Sequence, residues 1–366
     1  MLAHVIAMVR GGADRGAAGP GGLDAAVLCD LAERQGVLPL LADRLRAEGG
    51  LPADAMAVVR ARASRSAGAD LIREVELRGL VAALAAAGVP PLLIKGAHLA
   101  YACYPRPDLR PRADTDLLIP PAQRDEADEV FTRLGYTPVP QMSGDLIMYQ
   151  APYALRRHGA IVHLVDLHWR VSNAQRFGSV LAWDELRQEA EPLPALGAGA
   201  LGLGRVHALL LACVHRVAHH RDAPRLIWSY DIHLLATALD PASWERLAHL
   251  SRTRGVAAAC LRGLDVASEA FGTPVPDAVR AELAEAAALE GGLPAYAAPG
   301  RRHIARVWSD IRAMRSWTGA ARLARQHLLP PARYMREIYA PDSTVPLPAL
   351  YMQRAWRGAR RWLARS

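Results

Sequence analysis

A chain of 366 residues that is 51% hydrophobic and 22% charged is long enough for two domains or one large one, and too apolar to be disordered over most of its length. A formal net charge of +8 favours anionic partners: nucleotide phosphates, nucleic acid or an acidic membrane face. Cys29, Cys103, Cys213 and Cys260 form no C-x-x-C pair, which excludes a disulfide frame or zinc knuckle and fits a reducing, cytoplasmic setting.

The abundance of Ala and Leu, with only three Phe, predicts helices around a small sheet. Residues 1–22 read as a flexible N-terminal segment: "MLAHVIAMVRGG" is too short to span a membrane and lacks a basic leader, and Gly and Ala follow it. Residues 23–88 read as N-terminal helices. Leu28, Leu31, Leu38 and Leu41 are spaced for one helix face over 23–48, and a long periodic helix runs from Ala53 to about Ala87, closing at Gly88 before Pro90 and Pro91.

Between residues 89 and 180 the pattern changes. "PPLLIKG" is a short buried strand, "AHLAYACY" a short helix, and Pro105, Pro107 and Pro111 mark a loop. "DTDLLI" is a second strand, "PAQRDEADEVFTRLGY" an amphipathic helix, and the stretch from Met148 to Val171 alternates as a hairpin turning at His158-Gly159. Four or five mixed strands are predicted. From 181 to 350 the helical period dominates, with "GAGALGLG" at 197–204 read as a loop because no strand precedes it. Residues 351–366 read as a basic amphipathic helix in which Arg354, Arg357, Arg360, Arg361 and Arg365 accompany Trp356, Trp362 and Leu363. It is either a last helix docked by its tryptophans or a peripheral membrane or partner surface. No run of about 18 apolar residues, fixed-period repeat, P-loop or Ser-His-Asp order is present.

The chemistry concentrates in three acids. Side chains two apart on a strand share a face at roughly 6.5–7 Å, so Asp114 and Asp116 are presented together while Thr115, Leu117 and Ile119 face the core. The same period puts Asp166, His168 and Arg170 on one face of the later strand. Three converging carboxylates repel one another unless cations neutralise them, and oxygen ligands favour Mg²⁺ or Mn²⁺. Two such ions serve phosphoryl transfer. Gly96, with Ala97 and His98 opening a helix, offers backbone N–H groups to a phosphate.

Farther along, His215 and His219 are one turn apart, but without the Glu of H-E-x-x-H they read as a cleft wall facing nucleotide or acceptor, together with Arg216 and Arg225. Asp231, on a helix, reads as a hydrogen bond or ion pair across a domain interface.

The stretches "LLIKGAHLA", "LRPRADTDLLI" and "VDLHWRV" resemble the nucleotidyltransferase superfamily, and more narrowly an uncharacterised nucleotidyltransferase family. "LAERQGVLPLLADRL", "HRVAHHRDAPRLIWSYDIHLL" and "LLPPARYMREIY" extend the likeness over roughly residues 23 to 355. The resemblance implies an α+β fold with a small mixed sheet as catalytic core, N-terminal helices and a helical C-terminal domain. It implies transfer of a nucleoside monophosphate from an NTP to an acceptor hydroxyl or similar nucleophile. Asp114, Asp116 and Asp166 would hold two Mg²⁺ or Mn²⁺ ions, and Lys95, Gly96, Ala97, Arg110, Arg112, His168 and Arg170 would contact the nucleotide. Where many members of the superfamily have Gly-Ser, this chain has Gly96-Ala97, so that phosphate contact falls to backbone, Lys95 or an arginine. A non-catalytic nucleotide-binding module is the competing expectation. Nucleic-acid binding ranks last, for want of a basic-aromatic recognition motif.

Overall fold

The computed structural model describes residues 2–10, 24–49, 51–141, 146–290, 303–314, 316–340 and 345–363. Helices α1 (Leu2–Arg10), α2 (Ala25–Gln35), α3 (Leu38–Glu48) and α4 (Ala53–Ala86) come first. Asp24 caps α2 by accepting from the Ala26 N–H, and Gly36 ends it in the left-handed region at φ 72°. The segment that follows carries β1 (Leu92–Ile94), α5 (Lys95–Ala102), β2 (Thr115–Leu118), α6 (Arg124–Arg133), β3 (Tyr136–Pro138), β4 (Gln150–Arg157) and β5 (Ala160–His168). The hairpin turns where expected, with His158 and Gly159 both at positive φ.

After α7 (Gln175–Gly178), α8 (Trp183–Gln188), β6 (Glu191–Pro192) and β7 (Leu201–Gly202), helices take over. These are α9 (Arg205–Ala218), α10 (Leu226–Thr237), α11 (Pro241–Thr253), α12 (Ala257–Phe271) and α13 (Asp277–Leu289). Then come α14 (His303–Ala313), α15 (Trp317–Leu328), α16 (Ala332–Tyr339) and α17 (Leu347–Leu363).

The seven-stranded mixed sheet has the order β3-β4-β5-β2-β1-β7-β6 and is covered on both faces. Leu93, Leu117, Val165 and Leu167 pack with Leu77, Leu80 and Leu84 of α4 and Phe131 of α6. Leu92, Ile94 and Leu118 join a second core with the first helices and α9–α13. Strand alternation thus turns Asp116, on the Leu118 side of β2, toward the helical layer of α9 and α10. All four cysteines are free thiols, and among the described residues no helix is long and apolar enough to cross a membrane.

Several expectations are corrected. The sheet has seven strands rather than four or five, because Tyr136–Pro138 lengthens the hairpin edge and β6 and β7 add a short pair beside β1. One of these lies in the glycine run read as a loop. Leu201–Gly202 pairs parallel to Leu92–Leu93, and a Cβ on Gly202 would stand 2.2 Å from His98 Cδ2, so the close approach requires glycine. The segment 1–22 is not uniformly flexible, since Leu2–Arg10 is a helix that buries Val5 and Val9, one turn apart, in the core. Residues 11–22, the Gly/Ala linker, lie outside the described residues. The terminal helix begins at Leu347 rather than 351 and docks through buried Leu350, while Trp356 stays exposed.

Candidate active site

Two of the three acids meet through strand register. In β2 and β5, which run parallel, Asp116 lies directly opposite Asp166 and Leu118 opposite His168. β1 is antiparallel to β2 with Ile94 opposite Asp116, so Lys95, the next residue, arrives over the same carboxylate. Lys95 turns the chain from strand into α5 at φ 52°, a left-handed conformation costly for a side-chain-bearing residue and concentrated at functional sites. Its Nζ donates to Asp116 Oδ1 at 2.6 Å and lies 3.3 Å from His168 Nε2, which is itself 2.8 Å from the same oxygen. Asp166 accepts from Gln150 Nε2 at 2.7 Å.

The environments separate the carboxyls. Burial pushes Asp116 up, but Lys95 and the His168 hydrogen bond outweigh it and hold this group well below the usual carboxylate range. Asp166 moves the other way, raised to about 6 by burial and by the charges of Asp116 and Asp114. Asp114 precedes the strand, half-buried, and is raised by burial and then by Asp116. Burial and the nearby Lys95 lower His168 to about 4, leaving it neutral near pH 7.

Donor atoms of Asp116, Asp166 and His168 lie within 4.8 Å of one another. This oxygen-rich set already holds one cation, the Lys95 ammonium on Asp116, and Asp166 is held protonation-prone by burial and by the neighbouring carboxylates, which outweigh the pull of Lys95. It fits a hard divalent cation such as Mg²⁺ or Mn²⁺. Asp114 lines the same cleft and stands outside the tight group.

The cleft, ≈ 740 Å³, is within the size of small-molecule sites, roughly 300–1,000 Å³. Of the other predicted residues, Lys95, Gly96, Arg110, Arg112, His215, His219 and Arg225 line it. Arg110 is committed: it forks onto Asp231 at 2.7 and 3.3 Å, and Tyr104 Oη donates to the same carboxylate at 2.7 Å. The ion pair expected of Asp231 is therefore present, with Arg110 as its partner. Gly96 lies flat under that guanidinium, since a Cβ there would be 2.2 Å from Arg110 Nη1. Arg112 is likewise engaged, with Asp70 of α4 at 2.9 Å and Tyr101 Oη at 3.1 Å.

Four predicted residues do not line the cleft: His168 is buried against Asp116 and Lys95, and Ala97, Arg170 and Arg216 are engaged elsewhere. Ala97 packs among Leu93 and Leu117, so a hydroxyl at that position would enter the core. Arg170 stacks over the Tyr149 ring at 4.3 Å. Arg216 is buried and pairs with Asp222 at 2.6 Å. That pair has a structural consequence, because Arg221 and Asp222 both sit at positive φ (55° and 56°) and Arg262 also binds Asp222 at 2.9 Å. The two arginines pin a strained turn that sets the path from His219 to Arg225.

The wall opposite the acids is less basic than expected. His215 stacks on His219 at 4.8 Å between centroids, His220 stacks on Trp228 at 3.8 Å, and His220 Nε2 is 3.0 Å from His215 Nε2. Burial pushes His215 well below its usual range, and His219 and His220 to about 3 and about 4. Arg225, exposed over the Trp228 ring, supplies the positive charge.

Sequence reasoning named His98 only for its place at the start of α5, not for its ring, and missed His220, Trp228 and Gln150 as cleft residues. His98 is buried with neither ring nitrogen partnered. Its position three residues after Lys95, on the first turn of α5, was the available signal.

The description "uncharacterised nucleotidyltransferase" belongs to a family whose model matches residues 22–272. That is most of the chain, and the protein belongs to this family. The match ends before "LLPPARYMREIY", to which the sequence likeness extended. No curated protein matches the chain.

Proposed function

We propose that this family member transfers a nucleoside monophosphate from an NTP to the hydroxyl, or similar nucleophile, of an acceptor. The observation that carries the reading is the Asp116–Asp166 pairing across parallel strands beside Lys95, at a cleft wide enough for a nucleotide. In the reaction the acceptor oxygen bonds to the α-phosphorus and the bond to pyrophosphate breaks. The N–H groups of the first turn of α5, at Gly96 and Ala97, cradle phosphate oxygens, and the absence of a Cβ at Gly96 makes room for the Arg110 guanidinium beside them. Arg225 contributes a guanidinium to the triphosphate or acceptor side. Arg110 and Arg112 act as positioning residues: their ion pairs to Asp231 and Asp70 fix the loop that delivers Asp114 and Asp116.

Asp114, Asp116 and Asp166, with His168 beside them, would hold Mg²⁺ or Mn²⁺, which when bound neutralises the triphosphate and activates the acceptor oxygen. Lys95 holds Asp116 ionised in the meantime. Asp166, on the strand away from Lys95, serves the acceptor side.

A catalytically silent nucleotide-binding module is the second reading, favoured by one observation: a lysine already neutralises the carboxylate at the centre of the site. Incubation with each labelled NTP and Mg²⁺ or Mn²⁺ separates the two, scored by pyrophosphate release and self-labelling. Turnover that falls by orders of magnitude in the Asp114→Asn, Asp116→Asn double variant supports the enzyme. Undiminished turnover in that variant overturns the assignment, and NTP binding without pyrophosphate release under any condition supports the silent module.

A further inference from the structure

The positive charge of this protein is not spread along the chain. Residues 301–366 contain 14 arginines, no lysine and three acids, a net +11, so the preceding 300 residues are together net −3. This basic segment lies wholly beyond the family match at 22–272, and neither the cleft nor the proposed reaction uses it.

Its helices carry apolar residues on two faces. One set is turned inward, with Leu323, Met335 and Leu350 buried. The other is turned outward: Trp317 is 93% exposed, Leu328 74%, Met352 68% and Trp356 66%, and Ile338 and Trp308 are exposed as well. The outward residues follow helical spacing. Trp317 and Leu328 of α15 are eleven residues apart, three turns of helix, and Met352 and Trp356 of α17 are one turn apart, so each pair forms a stripe. Exposed Arg325 follows the α15 stripe, and exposed Arg357 and Arg360 follow the α17 one. Every exposed tryptophan among the described residues lies in this segment. Isolated exposed apolar side chains are ordinary on a protein surface, but stripes of tryptophan, leucine and methionine flanked by arginines are not.

The geometry points to a peripheral docking surface for an anionic lipid bilayer, in which α15 and α17 lie along the membrane plane. Tryptophan and the aliphatic side chains enter the headgroup and acyl boundary, and the arginines meet the anionic headgroups. The aliphatic members favour lipid over single-stranded nucleic acid, because Leu328, Ile338 and Met352 offer no ring on which a base could stack. No helix needs to span the bilayer, and none of those described is apolar enough to do so.

The test is co-sedimentation of the full chain with vesicles of phosphatidylcholine alone and of phosphatidylcholine mixed with phosphatidylglycerol. Binding is expected only to the mixed vesicles and should weaken as salt rises. Arg325→Gln and Arg360→Gln should each lower partitioning about fivefold. Trp317→Ser with Trp356→Ser should lower it at least as much without moving the melting temperature, since both rings are exposed. Equal binding to neutral and anionic vesicles, an unaltered double tryptophan variant, or no vesicle binding would each overturn the proposal. So would retention of a single-stranded RNA homopolymer by protein that ignores the vesicles, which would assign the surface to nucleic acid.

Discussion

Replacing Asp166 by Asn should stabilise the metal-free protein near neutral pH while abolishing transfer. Burial and the neighbouring Asp116 and Asp114 raise this carboxyl from its ordinary 3.8 to about 6. With about 1.4 kcal/mol for each tenfold change, ionisation of Asp166 costs the folded state at most about 3 kcal/mol. Partial solvent access brings that to about 1–2 kcal/mol. The sign follows from which form the fold prefers. The folded state favours the protonated acid, so this group's contribution is fully present below its ordinary value and is lost as pH rises through about 6. The asparagine is neutral throughout, and its Oδ1 can still accept from Gln150, so the variant escapes the loss. Urea unfolding in the presence of a chelator should give nearly equal stabilities at about pH 4 and a variant more stable by about 1–2 kcal/mol near pH 7. Added Mn²⁺ should reverse the order, stabilising the parent by about 2.7 kcal/mol at a hundredfold excess over Kd and the variant by less. A variant less stable than the parent at neutral pH, or a difference that does not change with pH, would refute the electrostatic account. Full turnover in the same protein would show that Asp166 is not the acceptor-side acid.

Two further outcomes test the surroundings of the acids. Lys95→Met removes the ammonium from Asp116, and breaking this largely buried pair should cost about 3 kcal/mol in urea unfolding without metal; Mn²⁺ should recover more stability in the variant than in the parent, and a variant indifferent to Mn²⁺ would mean that the lysine does not stand in a cation's place. Gly96→Ala drives a methyl against an Arg110 guanidinium that Asp231 holds in place, so stability should fall by about 2 kcal/mol and NTP affinity, measured by calorimetry, should fall with it; a neutral substitution would show that the Arg110–Asp231 fork yields easily.

Local pattern determined much of this protein. Period-2 alternation placed the strands on either side of His158-Gly159, and Gly88 with the prolines beyond it closed the long helix before β1. The same alternation identified the face of β2 that carries Asp116, with Asp114 just before the strand, and the face of β5 that carries Asp166 and His168. These features depend on residues a few positions apart, whose relative directions the backbone geometry fixes. Tertiary structure alone decided that Asp116 stands opposite Asp166, because strand register is set by which apolar faces are buried together. It also decided which arginines remain for a ligand. Arg110 pairs with Asp231 across 121 positions, Arg112 with Asp70 across 42, and Arg216 turns inward to Asp222, leaving Arg225 exposed at the cleft. The sequence contains many arginines and many acids, and any of them attract one another in water with similar strength. Burial selects among them, since an arginine taken out of water must find a carboxylate there, and only the packed helices determine which carboxylate is within reach.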